Sequence, residues 1–244
     1  MVSFEQLQAS IEYQCQNNLN LYDSPSCDRL ATQAATGRHL RVLSLPENSP
    51  TSVQVCLCED DYLGWLPLSK IGELELATSP YRAIPLSQAE IKSRIPAVIA
   101  FTQKAMQVPN YYLWGGTVEP NYDCSGLMQA AFADSGIWLP RDAYQQEAFI
   151  QLIAVQDLLP GDLIFFGVQK ATHVGLYLGD GCYIHSSGQE MGRNGIAIDR
   201  LSEQGDEISQ SYYQQLRCCG RVVRSYEPHS RSVASAFRRR GRKG

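Results

Sequence analysis

Along the first 76 residues the apolar positions come in short runs broken by turn formers: "NLNLYDSP", "HLRVLSLPENSP" and "SVQVCLCEDDYLGWLPLS". Strand-length apolar runs separated by Pro, Asn, Asp and Ser predict a small all-β barrel over residues 1–76. Val53, Val55 and Leu57 alternate with Ser52, Gln54 and Cys56, which is the period of a half-buried strand. Residues 77–90, "ATSPYRAIPLSQAE", hold two prolines and read as a linker.

The period then changes. Ser87 and Glu90 have the spacing of a capping box. Ile91, Ile95, Val98, Ile99 and Phe101 continue toward Met106 as a helix that Pro96 must either kink or divide. A second helix is predicted from near Cys124, with Leu127, Met128, Ala131 and Phe132 on one face and Gly136 as its stop. A third, short helix follows Arg141. Four β-like runs come next: "GDLIFFG", "THVGLYLGDGCYIHSSG", "GIAIDRL" and "CGRVVRS". Helices first and strands afterwards predict an α+β domain over residues 91–228. Residues 229–244 form a basic end, expected to be disordered.

Charge narrows the partners. The net charge is -4, but the basic end holds six of the 21 basic residues, leaving 15 basic against 25 acidic in the body. An acidic body argues against nucleic acid as a partner. No run approaches the ~20 apolar residues of a membrane span. The start "MVSFEQLQASIEYQ" lacks the basic and apolar regions of a secretory signal, so a cytoplasmic location with reduced thiols is expected. The eight cysteines lack zinc-ribbon spacing, so neither a metal nor a cofactor is expected. Oligomeric state is not legible.

The candidate chemistry starts at Cys124. A cysteine at a helix N-terminus meets the positive end of the helix dipole, although a buried structural thiol fits the same position. Ser125 and Gly126 after it, and Gly115 and Gly116 before it, read as small residues that let a substrate approach the backbone. Of four histidines, His173 and His185 lie on successive strand runs joined by Gly-Asp-Gly. An even separation of twelve lets them lie directly across a hairpin and face the same side. Paired structural histidines and a base with its orienter both satisfy that placement.

"YLWGG", "YDCSG", "LPRDAYQQ", "PGDLIFF" and "THVGLYLGDGCYIHSSG" in this order resemble the NlpC family of papain-like cysteine peptidases, over roughly residues 90 to 225. The N-terminal part resembles a bacterial SH3-type domain, with "GWLP" as its landmark. The pair is similar to the cyanobacterial γ-D-glutamyl-L-diamino acid endopeptidases. The resemblance implies Cys124 as nucleophile in an ion pair with His173 as base and acid, His185 as third member, and Tyr112 beside the oxyanion. It also implies Asp123, Ser125 and Arg141 as substrate-facing residues, with Arg141 suited to a carboxylate. An acid of the barrel, Glu73 or else Asp60 or Asp61, with Tyr62 beside it, would receive the substrate ammonium. The expected partner is a short murein-derived peptide with a free N-terminal L-Ala, cut for wall-peptide recycling. An amidase or acyltransferase of the same fold, and a non-catalytic wall-binding protein, are the alternatives.

Overall fold

The computed structural model describes residues 3–45 and 51–229. Most of the basic end, residues 230–244, lies outside the described residues.

The N-terminal strands are β1 (Glu12–Cys15), β2 (Leu19–Tyr22), β3 (Leu30–Ala34), β4 (His39–Ser44), β5 (Ser52–Leu57), β6 (Leu63–Pro67) and β7 (Leu74–Leu76). They form an antiparallel sheet in the order β3-β2-β6-β5-β4-β1-β7. Tyr13, Leu21, Leu40, Val42, Val53, Val55 and Leu66 fill its interior. Every second side chain of β1, β3 and β4 turns inward, whereas β5, expected to be half-buried, buries Ser52 and Cys56 as well as Val53 and Val55.

Helix α1 (Gln88–Gln107) follows the linker. Ser87 caps it, accepting from Glu90 N while the Glu90 carboxylate accepts from Ser87 N at 2.8 Å. Pro96 neither divides nor ends it: α1 is continuous, and the proline forgoes one backbone bond within it. The short strands β8 (Thr117–Val118) and β9 (Asn121–Tyr122) lead into α2 (Cys124–Asp134) and α3 (Ala143–Phe149). Gly136, at φ 72°, takes the left-handed conformation just after α2.

The second sheet contains β10 (Gln151–Ile153), β11 (Leu163–Phe166), β12 (His173–Gly179), β13 (Cys182–Ser187) and β14 (Gly195–Arg200). Helix α4 (Glu207–Gln214) precedes its last strand, β15 (Leu216–Arg221). The order is β10-β15-β11-β12-β13-β14. Leu163, Phe165, Val174, Leu176 and Ile184 face α1 and α2. Ile164, Phe166 and Tyr183 face α4, where Tyr212 covers them. Strands buried on both faces explain the near-continuous apolar runs of this half of the sequence.

The barrel docks on the second unit through polar groups. Thr117 N donates to Gln33 Oε1 at 3.0 Å, Thr117 Oγ1 to the Gln33 carbonyl at 2.8 Å, and Gln129 Nε2 to Asp60 Oδ2 at 2.8 Å. These contacts bring β3 against β8 and the turn before β6 against the middle of α2.

Candidate active site

Cys124 is the first residue of α2, and Asp123 is its N-cap. The first N–H groups of a helix have no acceptor within it: here Asp123 takes that of Gly126, and the Cys124 N–H, one residue into the turn, is the donor beside the thiol. Asp123 Oδ1 accepts from Gly126 N at 2.7 Å and Oδ2 from Gly115 N at 2.8 Å. One carboxylate thus ties the "WGG" loop to the nucleophile helix.

The glycines serve that packing and not substrate access. A Cβ on Gly126 would lie 1.9 Å from the Gly116 carbonyl oxygen, and one on Gly115, at φ 80°, would lie 2.9 Å from Leu30. The close approach carries Tyr112 into the cleft beside Cys124. Its neighbour Tyr111 is 52% exposed. Burial and the nearby Cys124 push the Tyr112 phenol well above its ordinary range, so it remains a hydrogen-bond donor.

The two histidines do not lie directly across the hairpin. The register pairs Leu176 with Ile184 and Tyr177 with Tyr183, which sets His185 opposite Gly175 and His173 diagonal to it. Gly175 carries no side chain between them; a Cβ there would sit 3.3 Å from His185 Cβ and 2.7 Å from the Tyr183 ring. The rings meet, His173 Nε2 to His185 Nδ1, at 2.7 Å. His185 Nε2 reaches Asp199 Oδ2 at 2.8 Å. Tyr212 stacks on His173 with centroids 4.6 Å apart.

Cys124 Sγ contacts the backbone on both sides of His173: it points to the Thr172 carbonyl at 4.0 Å and receives the Val174 N–H. The nitrogen of His173 not used toward His185 is the one left for the thiol. Burial and the adjacent Asp123 charge push the Cys124 thiol up to about 12. Burial, then the neighbouring His185, pulls His173 well below its ordinary range. Burial thus works against the charged form of each group, and so against the standing ion pair expected of them.

Three expected substrate residues are engaged internally. Arg141 is 1% exposed. It donates from Nη1 to Asp123 Oδ1 and Ser125 Oγ, from Nη2 to Asp123 Oδ2, and from Nε to Thr32 Oγ1 of the barrel. These bonds occupy four of the five N–H groups of a guanidinium, so the two-pronged carboxylate grip expected of Arg141 is not available. One N–H and the positive charge remain toward the cleft. Asp123 is saturated by the same network, and Ser125 Oγ donates to Asp123 Oδ1 at 3.2 Å.

The barrel closes one side of the cleft, which has a volume of about 530 Å³ and is lined by Asp23, Leu30 and Tyr62 opposite Tyr112, Cys124 and Asp142. Glu73 is not part of it. It lies beside β7, at the opposite end of the barrel sheet from β3, and pairs with Lys70 at 2.6 Å. Asp60 is held by Arg38 and Gln129, and Asp61 accepts from Tyr226 and from the His229 backbone. The acid beside Tyr62 is Asp142, whose Oδ1 lies 3.5 Å from the Tyr62 hydroxyl. Burial raises this carboxyl above its ordinary range although Arg141 opposes the shift.

Sequence reasoning missed Asp142, Asp199 and Gln146. Gln146 Nε2 donates to the Ser125 and Pro140 carbonyls at 3.0 and 2.9 Å and fixes the start of α2. A signal existed for Asp199, an acid that follows the apolar run "GIAI" within a strand, where a buried charge is uncommon. Among the described residues no group of three or more His, Cys, Asp or Glu is arranged to hold a metal ion. Nor is any helix among them long and apolar enough to cross a membrane.

Residues 109–221 match the NlpC/P60 family, and residues 21–71 match the bacterial dipeptidyl-peptidase SH3 domain. The chain is 32% identical over 143 residues to a γ-D-glutamyl-L-lysine dipeptidyl-peptidase of Bacillus subtilis, covering 57% of this chain and 44% of that protein. It is 43% identical over 89 residues to a probable endopeptidase of Mycobacterium bovis, covering 36% of this chain and 23% of that one. In both cases it spans less than half the length of the relative. A crystal structure of an NlpC/P60 family protein from Bacillus cereus aligns over 90% of this chain and 68% of its own, with 22% identity and a TM-score of 0.45. The chain thus joins an SH3 domain of the bacterial dipeptidyl-peptidase type to a domain that belongs to the NlpC/P60 family.

Proposed function

We propose that the protein is a cysteine endopeptidase that hydrolyses the γ-D-glutamyl–diamino acid bond of short cell-wall peptides with a free N-terminal L-Ala. The observation that carries this reading is the placement of Cys124 at the start of α2, in a cleft beside a chain of hydrogen bonds running from His173 through His185 to Asp199. The names of the relatives supply the bond class.

The chemistry follows from the groups present. His173 takes the Sγ proton as sulfur attacks the γ-carbonyl carbon of D-Glu. Forming the ions only at this step avoids a standing pair of buried charges. The oxyanion is held by the backbone N–H of Cys124 and the hydroxyl of Tyr112. Collapse breaks the C–N bond, and His173 returns its proton to the departing amine. Water, deprotonated by His173, then hydrolyses the thioester and restores the thiol.

The D-Glu α-carboxylate is placed at the start of α2, near the remaining Arg141 N–H. The L-Ala ammonium is placed at Asp142 and Tyr62, where the barrel closes the cleft. A closed end favours small released peptides over intact wall, which suits a recycling role in the cytoplasm. The test is digestion of L-Ala-γ-D-Glu-diamino acid tripeptides with free and acetylated N-termini, with products identified by mass. Release of L-Ala-D-Glu from the free peptide alone is expected. Cleavage at another bond, or acyl transfer without hydrolysis, would refute the reading.

A further inference from the structure

An imidazole in the third position of a catalytic set is ambiguous. A carboxylate there can only accept a hydrogen bond, but a histidine nitrogen donates in one tautomer and accepts in the other. Were the His185 proton on Nδ1, His173 would have to accept at Nε2. It would then turn an N–H toward the thiol and have no lone pair for the Sγ proton.

The structure holds a group that removes the ambiguity. Asp199 Oδ2 lies 2.8 Å from His185 Nε2, with the two side chains 1% and 0% exposed. Arg193 keeps the carboxylate ionised: its Nη2 donates to Asp199 Oδ1 and its Nε to Oδ2 at 3.3 Å. An ionised carboxylate only accepts, so the His185 proton belongs on Nε2 and its Nδ1 becomes the acceptor. We propose, on the reading that Cys124 and His173 do the chemistry, that Asp199 is a positioning residue that sets the tautomers of both histidines. His173 then donates from Nε2 and keeps its Nδ1 lone pair for the Cys124 thiol.

Arg193 has a second part in the arrangement. An unpaired Asp199 would favour an imidazolium at His185, and the guanidinium opposes this. The other titratable groups around the pair are Cys124 at the start of α2, Tyr183 on β13, Tyr212 on α4 and Asp206 at the N-terminus of α4. Asp206 also accepts from Arg193 Nη2, at 2.5 Å.

Two readouts on the full chain need no peptide. Nitrogen NMR spectra of the imidazole rings report tautomers directly. The parent protein should show both His173 and His185 protonated on Nε2, and Asp199→Asn should show mixed forms, because an amide can donate or accept. A parent His185 protonated on Nδ1, or an unchanged Asp199→Asn spectrum, overturns the proposal.

The second readout is alkylation of Cys124 by iodoacetamide against pH, mapped by mass. Asp199→Asn should lower the plateau rate roughly ten- to a hundredfold, the range found when a partner that orients a metal-ligating histidine is lost. Its acid limb should move to lower pH. Arg193→Gln, at a side chain 26% exposed, should move the acid limb to higher pH and remains informative if Asp199→Asn does not fold. Equal losses at every pH, with neither limb moving, would mean a merely structural role and overturn the proposal. Expected tautomers and limb shifts in a protein that cuts no γ-D-glutamyl peptide would defeat the proposed activity and leave the relay standing. Normal cleavage by an Asp199→Asn protein with parental spectra would do the reverse.

Discussion

Arg141 and Asp123 form a buried two-pronged ion pair, Nη1 to Oδ1 at 3.0 Å and Nη2 to Oδ2 at 2.5 Å, and the same guanidinium reaches Thr32 of the barrel at 2.9 Å. One side chain therefore joins the nucleophile helix, the "WGG" loop and the barrel. Removing one partner of a buried pair leaves the other charge uncompensated, which costs about 3–5 kcal/mol. Arg141→Ala should lose that much in urea denaturation, and Arg141→Lys should recover only part of it, because an ammonium cannot reproduce the fork. Unchanged stability in both variants, with only KM raised, would show that the arginine serves substrate alone.

Cys124→Ala should abolish turnover and leave the fold intact, since thiol to methyl beside a cleft creates almost no cavity. Peptide cleavage above roughly 1% of the parent rate would rule out covalent catalysis, given what loss of a nucleophile ordinarily costs. His173→Ala should be comparably severe. His185→Ala should be milder, because it orients and does not itself take the Sγ proton.

Asp142 and Glu73 separate two accounts of how the ammonium is held. Asp142 lines the cleft beside Tyr62, and Glu73 lies beyond it with Lys70. A charge-assisted hydrogen bond is worth ~1.5–3 kcal/mol, or roughly ten- to a hundredfold in binding. Asp142→Asn should lower kcat/KM by that factor for free-N-terminus tripeptides and little for acetylated ones, and Glu73→Gln should change neither. The opposite ranking in steady-state kinetics would restore Glu73 and move the amine site.

Stability should fall on mild acidification. Burial holds both His173 and His185 below the ordinary imidazole range, so the unfolded chain binds protons near pH 6.5 that the native protein refuses. Unfolding then takes up protons, and each histidine removes about 1.4 kcal/mol per pH unit below that point until its native pKa is reached. Asp199, held below its ordinary range, adds a loss of the same sign at lower pH, below about 4. Urea denaturation at pH 7.5, 6.0 and 5.0 reads the slope, and His185→Asn should flatten it. A parent protein equally stable at pH 7.5 and 5.0 would mean that the native pair accepts a proton freely.

The sequence by itself determined what local periodicity and short-range chemistry control. Alternation at Val53, Val55 and Leu57 gave a strand, and Ser87 with Glu90 gave a helix start. Cys124 fell at the first turn of α2 because an Asp–Cys–Ser–Gly run offers a cap and then small residues. Even spacing was enough to put His173 and His185 on one face. Tertiary structure decided everything that depends on which surfaces meet. Register set His185 opposite Gly175, so the histidines meet on a diagonal, and that is a property of strand pairing rather than of residue count. Docking of the barrel buried Arg141 and excluded Glu73, because a charged side chain reads alike in sequence whether it faces water, a ligand or another carboxylate. Asp199 and Asp142 gained their places from strand β14 and the barrel wall respectively, contacts 14 and 80 residues distant in the chain, beyond the reach of any local pattern.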